Sequence, residues 1–113
     1  SKVTRYSYTF KDCTSLAEVP AGMFDNIPTK VTSLTATFQG CLALTDFNKI
    51  FNDNPGLTVC GKRGALSSFF SGCTNLTGTG TTLTNTLGGV ANSYLFRYCT
   101  KLSDYNNIPS GYK

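Results

Sequence analysis

Apolar residues recur along this chain at intervals of three, and a longer pattern is laid over them. Phe, Cys and Leu stand three residues apart at Phe10, Cys13 and Leu16, at Phe38, Cys41 and Leu44, at Phe70, Cys73 and Leu76, and at Phe96, Cys99 and Leu102. Upstream of these F-x-x-C-x-x-L runs lie further apolar positions: Val3 and Tyr6, Val31 and Leu34, Leu66, and Val90. Intervals of three and four match one face of a short helix. After each Leu the chain reads as a short extended segment. In the first copy that segment closes at Pro20, which cannot donate to a sheet ladder and biases the residue before it away from helix. The pattern predicts four units starting near residues 3, 31, 63 and 90, each a short helix, a tight turn near the cysteine and a short strand.

The leading phenylalanines are 26 to 32 residues apart. Self-similarity at such a period predicts a solenoid, in which each unit buries its apolar face against its neighbours. At 113 residues the chain supports one domain, residues 1–113. Asn52-Asp53-Asn54-Pro55-Gly56 has the composition of a turn, and residues 57–63 form an insertion expected to project as a loop or small hairpin. The third unit runs into the polar Thr77-Gly78-Thr79-Gly80-Thr81-Thr82, which promises little core, and Val90 stands one residue nearer its Phe than Val31 does. Neither end resembles a polar cap, so the chain reads as an excerpt of a longer array.

Composition narrows the function. Charged residues make up only 14% of the chain, against roughly 25% in an average domain, so the surface is polar but weakly charged. Ten Lys and Arg against six Asp and Glu give a net charge of +4, yet the only adjacent basic pair is Lys62-Arg63, which is not the clustered stripe of a nucleic-acid binder. No apolar run is long enough to insert into a membrane. The chain has no histidine, which removes the commonest general base and the usual activator of a Ser or Cys nucleophile.

Five cysteines raise the question of disulfides or metal. Four occupy one repeat position, where a free thiol behaves as a small buried hydrophobe. A disulfide between neighbouring units is not excluded by distance. Zinc is disfavoured by the spacing of the cysteines and the lack of histidine, and no cofactor is expected. Cys60, in the insertion, reads as the exposed thiol. Gly56 to Lys62 matches G-x-x-x-x-G-K, but Arg63 stands where a phosphate-binding loop needs Ser or Thr, so an ordinary Gly-rich loop is the reading. Asn52-Asp53-Asn54 lacks the glutamate of a calcium loop, and the sequon Asn75-Leu76-Thr77 runs through a core position. Tyr98, beside Cys99, is a candidate exposed contact.

The repeated F-x-x-C-x-x-L with its Pro-x-Gly turn, above all Lys30 to Cys41, resembles the BspA-like leucine-rich repeats of bacterial surface proteins. That resemblance implies a right-handed superhelix with one strand per turn stacked into a parallel sheet. It also implies an extracellular or cell-surface location and binding to host proteins or other cells. On such a stack Glu18, Asp46 and Asp104, each eight residues after a repeat Phe, form a column of carboxylates interrupted at Gly78. The column reads as a solvated strand edge, as a ligand contact or as an acid/base pair acting on sugar.

The sequence thus predicts an α/β leucine-rich-repeat-like solenoid that is not an enzyme. It would bind a protein or glycan partner on a cell surface or matrix through Glu18, Asp46, Asp104, Lys62, Arg63 and Tyr98, with self-association through exposed end units. Alternative readings are a structural segment of a large assembly, such as a phage tail fibre, and a carbohydrate-active enzyme.

Overall fold

Four segments centred on Phe10, Phe38, Phe70 and Phe96 share one backbone path, which is neither helix nor strand. The computed structural model describes residues 6–113; Val3, the first expected core position, lies outside the described residues. The residue two before each Phe has positive φ (Tyr8, Ala36, Ser68 and Tyr94), and so does the residue two after it (Asp12, Gly40, Gly72 and Tyr98). Gly40 and Gly72 take this left-handed backbone at no steric cost, whereas a side chain there is strained.

This alternation sorts the peptide groups into two sets. One set closes local turns, as in Thr37 N–H to Leu34 O, Gln39 N–H to Ala36 O and Cys41 N–H to Phe38 O. The other set points along the stack. Tyr6, Tyr8, Phe10 and Asp12 donate to the carbonyls of Ser33, Thr35, Thr37 and Gln39 in the second unit, and Leu34, Ala36, Phe38 and Gly40 donate to Ala65, Ser67, Phe69 and Ser71 in the third. Ser68, Phe70 and Gly72 then donate to Ser93, Leu95 and Arg97 in the fourth. In these segments each of the first three units gives its N–H groups to the carbonyls of the next, which satisfies the buried backbone without a sheet, while Thr77 and Ser103 of the post-Leu segments donate the other way, to Thr45 and Gly78.

The solenoid of short helices and strands expected from the sequence is therefore not what forms. Among the described residues the post-Leu segments contribute one isolated parallel bridge, Asp46 with Thr77, and no parallel sheet. The helices lie elsewhere: α1, Phe47–Asp53; α2, Leu57–Lys62; α3, Thr81–Thr84; and two 3-10 turns, Tyr105–Asn107 and Ser110–Tyr112. The pre-Cys segments, read as helical from their spacing, are chained turns, because intervals of three place side chains inward in either conformation. With a radius of gyration of 12.6 Å, against roughly 13 Å for a compact chain of this length, and extents of 38 × 32 × 21 Å, the units form a compact, flattened body.

Side chains of the repeat fill its centre. Phe10, Phe38, Phe70 and Phe96 stack in a column with centroid spacings of 5.6, 6.0 and 5.8 Å. Phe47 and Phe69 meet the column edge-on, Phe47 against Phe70 and Phe96, Phe69 against Phe38 and Phe70. Leu44, Leu76 and Leu102 are buried beside it, while Leu16 is only partly so. The insertion at 57–63 does not project. It is α2, whose Leu57, Cys60 and Gly61 at helical spacing face the core. A Cβ on Gly61 would come within 2.4 Å of Leu87, so this glycine serves packing, and the segment is not a phosphate-binding loop. The polar third unit also supplies core, since Leu83 and Leu87 are fully buried.

The cysteine ladder has a specific cause. The thiols of Cys41, Cys73 and Cys99 each donate to the carbonyl of the repeat Phe one unit earlier, Phe10, Phe38 and Phe70, all at 3.1 Å. Burial pushes the Cys41 thiol to about 11 and the Cys73 thiol to about 12, and raises Cys99 as well. All five cysteines are free. Cys13 is exposed and Cys60 buried, the reverse of the sequence reading for both. Thiol labelling of the native protein should modify Cys13 rapidly and the other four only on unfolding; fast labelling of Cys73 would contradict the ladder. Because these folded-state values lie above the unfolded 9.0, the stability the thiols confer is complete below pH 9 and is lost as pH rises from there toward 11 and 12.

Candidate functional site

The helices that follow the repeat segments shape an open groove. Asp46 begins α1 by accepting from the N–H of Lys49 at 3.0 Å, and Phe47 and Ile50 anchor the helix in the core. Its outer face is left to Asn48, Lys49, Phe51 and Asn52. These residues, with Asp46, Pro55, Thr79 and Thr82, line an open groove of about 780 Å³. A second depression of about 210 Å³ adjoins it across Asp46 and Lys49 and is lined by Glu18, Thr45 and Asp53 among others. Lys49 binds Asp53 at 2.6 Å, and its ammonium pKa is raised, first by that hydrogen bond and then by the fields of Asp53, Glu18 and Asp46.

Of the expected contacts, the structure brings Glu18 and Asp46 together around Lys49 and sends the others elsewhere. Asp104 turns to α3, where its two carboxylate oxygens accept from the N–H groups of Gly80 and Thr81 and from the Thr81 hydroxyl. Burial works to raise its pKa, but these bonds outweigh it and hold the carboxyl below its ordinary value. Its contribution to stability is therefore full above the unfolded value of 3.8 and is lost as pH falls through the lower folded value. Asp104→Ala should cost about 1 kcal/mol at neutral pH, and Asp104→Asn should flatten the acid limb of a denaturation series. An unchanged acid limb would remove Asp104 from this role.

Lys62 and Arg63 are exposed at the end of α2, away from the groove lining. Arg63 spends its guanidinium on the carbonyls of Ile27 and Pro28, at 3.3 and 3.4 Å. Tyr98 is 54% exposed, and the Arg97 guanidinium lies 4.7 Å from its ring and 4.7 Å from that of Tyr94. Among the described residues no group of three or more His, Cys, Asp or Glu is placed to hold a metal ion, and no helix is long and apolar enough to cross a membrane.

Sequence reasoning did not single out the groove residues Asn48 and Phe51 and placed Asn52 in a turn, because the helix over Phe47–Asp53 was not foreseen. It also missed two buried amides that hold the units together. Asn54 accepts from Phe24 N–H and donates to the carbonyls of Pro20 and Ile50. Asn92 accepts from Leu66 N–H and donates to Gly61 and Val90. The shortened approach to the fourth unit was the available signal for Asn92, whose side-chain oxygen stands where earlier interfaces use a backbone carbonyl. Asn54 sits in a turn-like composition that gave none. No protein-family model matches this chain, no curated protein matches it, and no solved structure matches its fold.

Proposed function

We propose that the chain is a non-enzymatic interaction module of a bacterial surface or secreted protein, and that it takes a protein or glycan partner in the groove along α1. The groove's lining carries the reading. Asp46, Asn48, Lys49, Asn52, Thr79 and Thr82 offer hydrogen-bonding groups around the half-buried ring of Phe51, and convergent polar groups beside an apolar surface are the usual make-up of a ligand site. Against catalysis stand the lack of histidine and the employment of Asp46 and Asp104 as caps on backbone N–H groups. The surface location is supported by the F-x-x-C-x-x-L resemblance and by nothing in the fold. A structural segment of a larger assembly is the second reading, favoured by the carbonyls of Ser7, Thr9 and Lys11, which accept nothing among the described residues.

The test is a binding screen of the purified chain against matrix proteins and a glycan panel. Asp46→Asn keeps a good helix cap while removing the charge, and Asn52→Ala removes an exposed amide. Each should weaken binding about tenfold, with Lys62→Ala unchanged. Binding that is indifferent to both groove variants would reject the groove, and a folded chain that binds nothing would favour the structural segment.

A further inference from the structure

We propose that a second copy of this chain docks head to tail on the open end of the first unit, presenting its own Tyr94 to Tyr98 edge. Among the described residues the first unit lacks what each later unit receives from the one before it. The carbonyls of Ser7, Thr9 and Lys11 correspond to those of Thr35, Thr37 and Gln39, which accept from Tyr8, Phe10 and Asp12. Among the described residues those three carbonyls accept nothing. Cys13 is exposed, whereas its three counterparts each donate to a Phe carbonyl. Phe10 has one face of its ring on Phe38 and is otherwise half-buried, and beside it opens a largely apolar groove of about 220 Å³ rimmed by Tyr6, Met23 and Ile27.

The other end of the molecule carries the matching half. Tyr94, Phe96 and Tyr98 occupy the positions whose N–H groups cross to the next unit in every internal interface. Among the described residues the N–H groups of Tyr94 and Tyr98 have no acceptor, and that of Phe96 is held by the Tyr112 carbonyl at 2.8 Å. Both edges also hold the same backbone shape, with φ of 64° and 59° at Tyr8 and Asp12 and 62° and 67° at Tyr94 and Tyr98. The interunit peptide groups of the Phe-centred segments all point one way, so their dipoles leave partial negative charge at the first unit's edge and partial positive charge at the fourth's. Two first-unit ends cannot pair through their carbonyls, since both offer acceptors. One first-unit end and one fourth-unit end can.

The segment ending in Tyr112 competes with the incoming copy for Phe96. Its hold includes the bond from the Tyr112 hydroxyl to Val90 O at 2.9 Å. The contact is heterologous and does not close on itself, so it builds an open series of oligomers.

Sedimentation velocity of the full chain over a concentration series tests this. Wild type should form dimers and higher species as concentration rises, and Tyr112→Phe, which loosens the competing segment by one hydrogen bond, should associate about fivefold more tightly. Met23→Glu, at a side chain 37% exposed on the groove rim, should stay monomeric alone yet join wild type as a terminal subunit, because its fourth-unit edge is intact. Monomers at every concentration for both wild type and Tyr112→Phe would overturn the proposal. So would a Met23→Glu chain that self-associates like wild type, or one that fails to join it, since the latter is the mark of a face-to-face dimer. The groove along α1 is a separate surface, and loss of partner binding there leaves this result unaffected.

Discussion

Phe70→Ala should destabilise the chain by about 4 kcal/mol, read from the midpoint of a denaturant titration. Phe70 is fully buried and touches four other rings: Phe38 and Phe96 stack on it, and Phe47 and Phe69 meet it edge-on at 5.7 and 4.8 Å. Truncation removes the transfer free energy of a whole ring and leaves a cavity that four neighbours in fixed stacking geometry cannot close. The half-buried Phe10, with one stacked neighbour, should cost less than half as much when truncated in the same way. Equal losses at the two positions would mean that the aromatic column does not carry the core.

Asn92→Ala should cost about 3 kcal/mol, an effect out of proportion to the few atoms removed. The side chain has no exposed surface, and its amide serves three backbone groups: Leu66 N–H, Gly61 O and Val90 O. Alanine strands Leu66 N–H in a place that water reaches only by opening the structure, and it removes one donor each from Gly61 O and Val90 O, which keep Gly64 N–H and the Tyr112 hydroxyl; the loss is the desolvation cost of the orphaned amide plus two lost bonds. The fourth unit is one residue short of the others in its approach, and Asn92 repairs the resulting gap in the column of interunit bonds. A loss under about 1 kcal/mol would show that the gap is bridged in another way.

Much of what faces inward was legible in the sequence. The repeat positions Phe38, Cys41, Leu44, Phe70, Cys73, Leu76, Phe96, Cys99 and Leu102 are all buried, because a period reports which side chains share an environment. Backbone conformation was not legible from the same period. Intervals of three suit a helix and a chain of turns equally, and the left-handed residues Tyr8, Ala36, Ser68, Tyr94 and Tyr98 carry no compositional mark. Gly40 and Gly72 at one repeat position were the only visible sign that the path bends there. The insertion was misread because its flanking Asn, Pro and Gly signal turns, while the Leu57 and Cys60 spacing that buries α2 is too short to register as a helix. Of the expected contact residues, Glu18 and Asp46 line one depression beside Lys49 because offset eight falls at the start of the post-repeat segments. Asp104 was drawn away by the bare N–H groups of Gly80 and Thr81.

The Phe-centred segments join the units by one-way backbone bonds from turns and not by a parallel sheet. Amide hydrogen exchange followed residue by residue by NMR tests this directly. Slow exchange is expected at Leu34, Ala36, Phe38, Gly40, Ser68, Phe70 and Gly72, donors that cross between units in the Phe-centred segments. Slow exchange centred instead on residues 44–48 and 76–80, with Ala36 to Gly40 exchanging freely, would place the ladder in the post-Leu segments and rule out the ladder of turns.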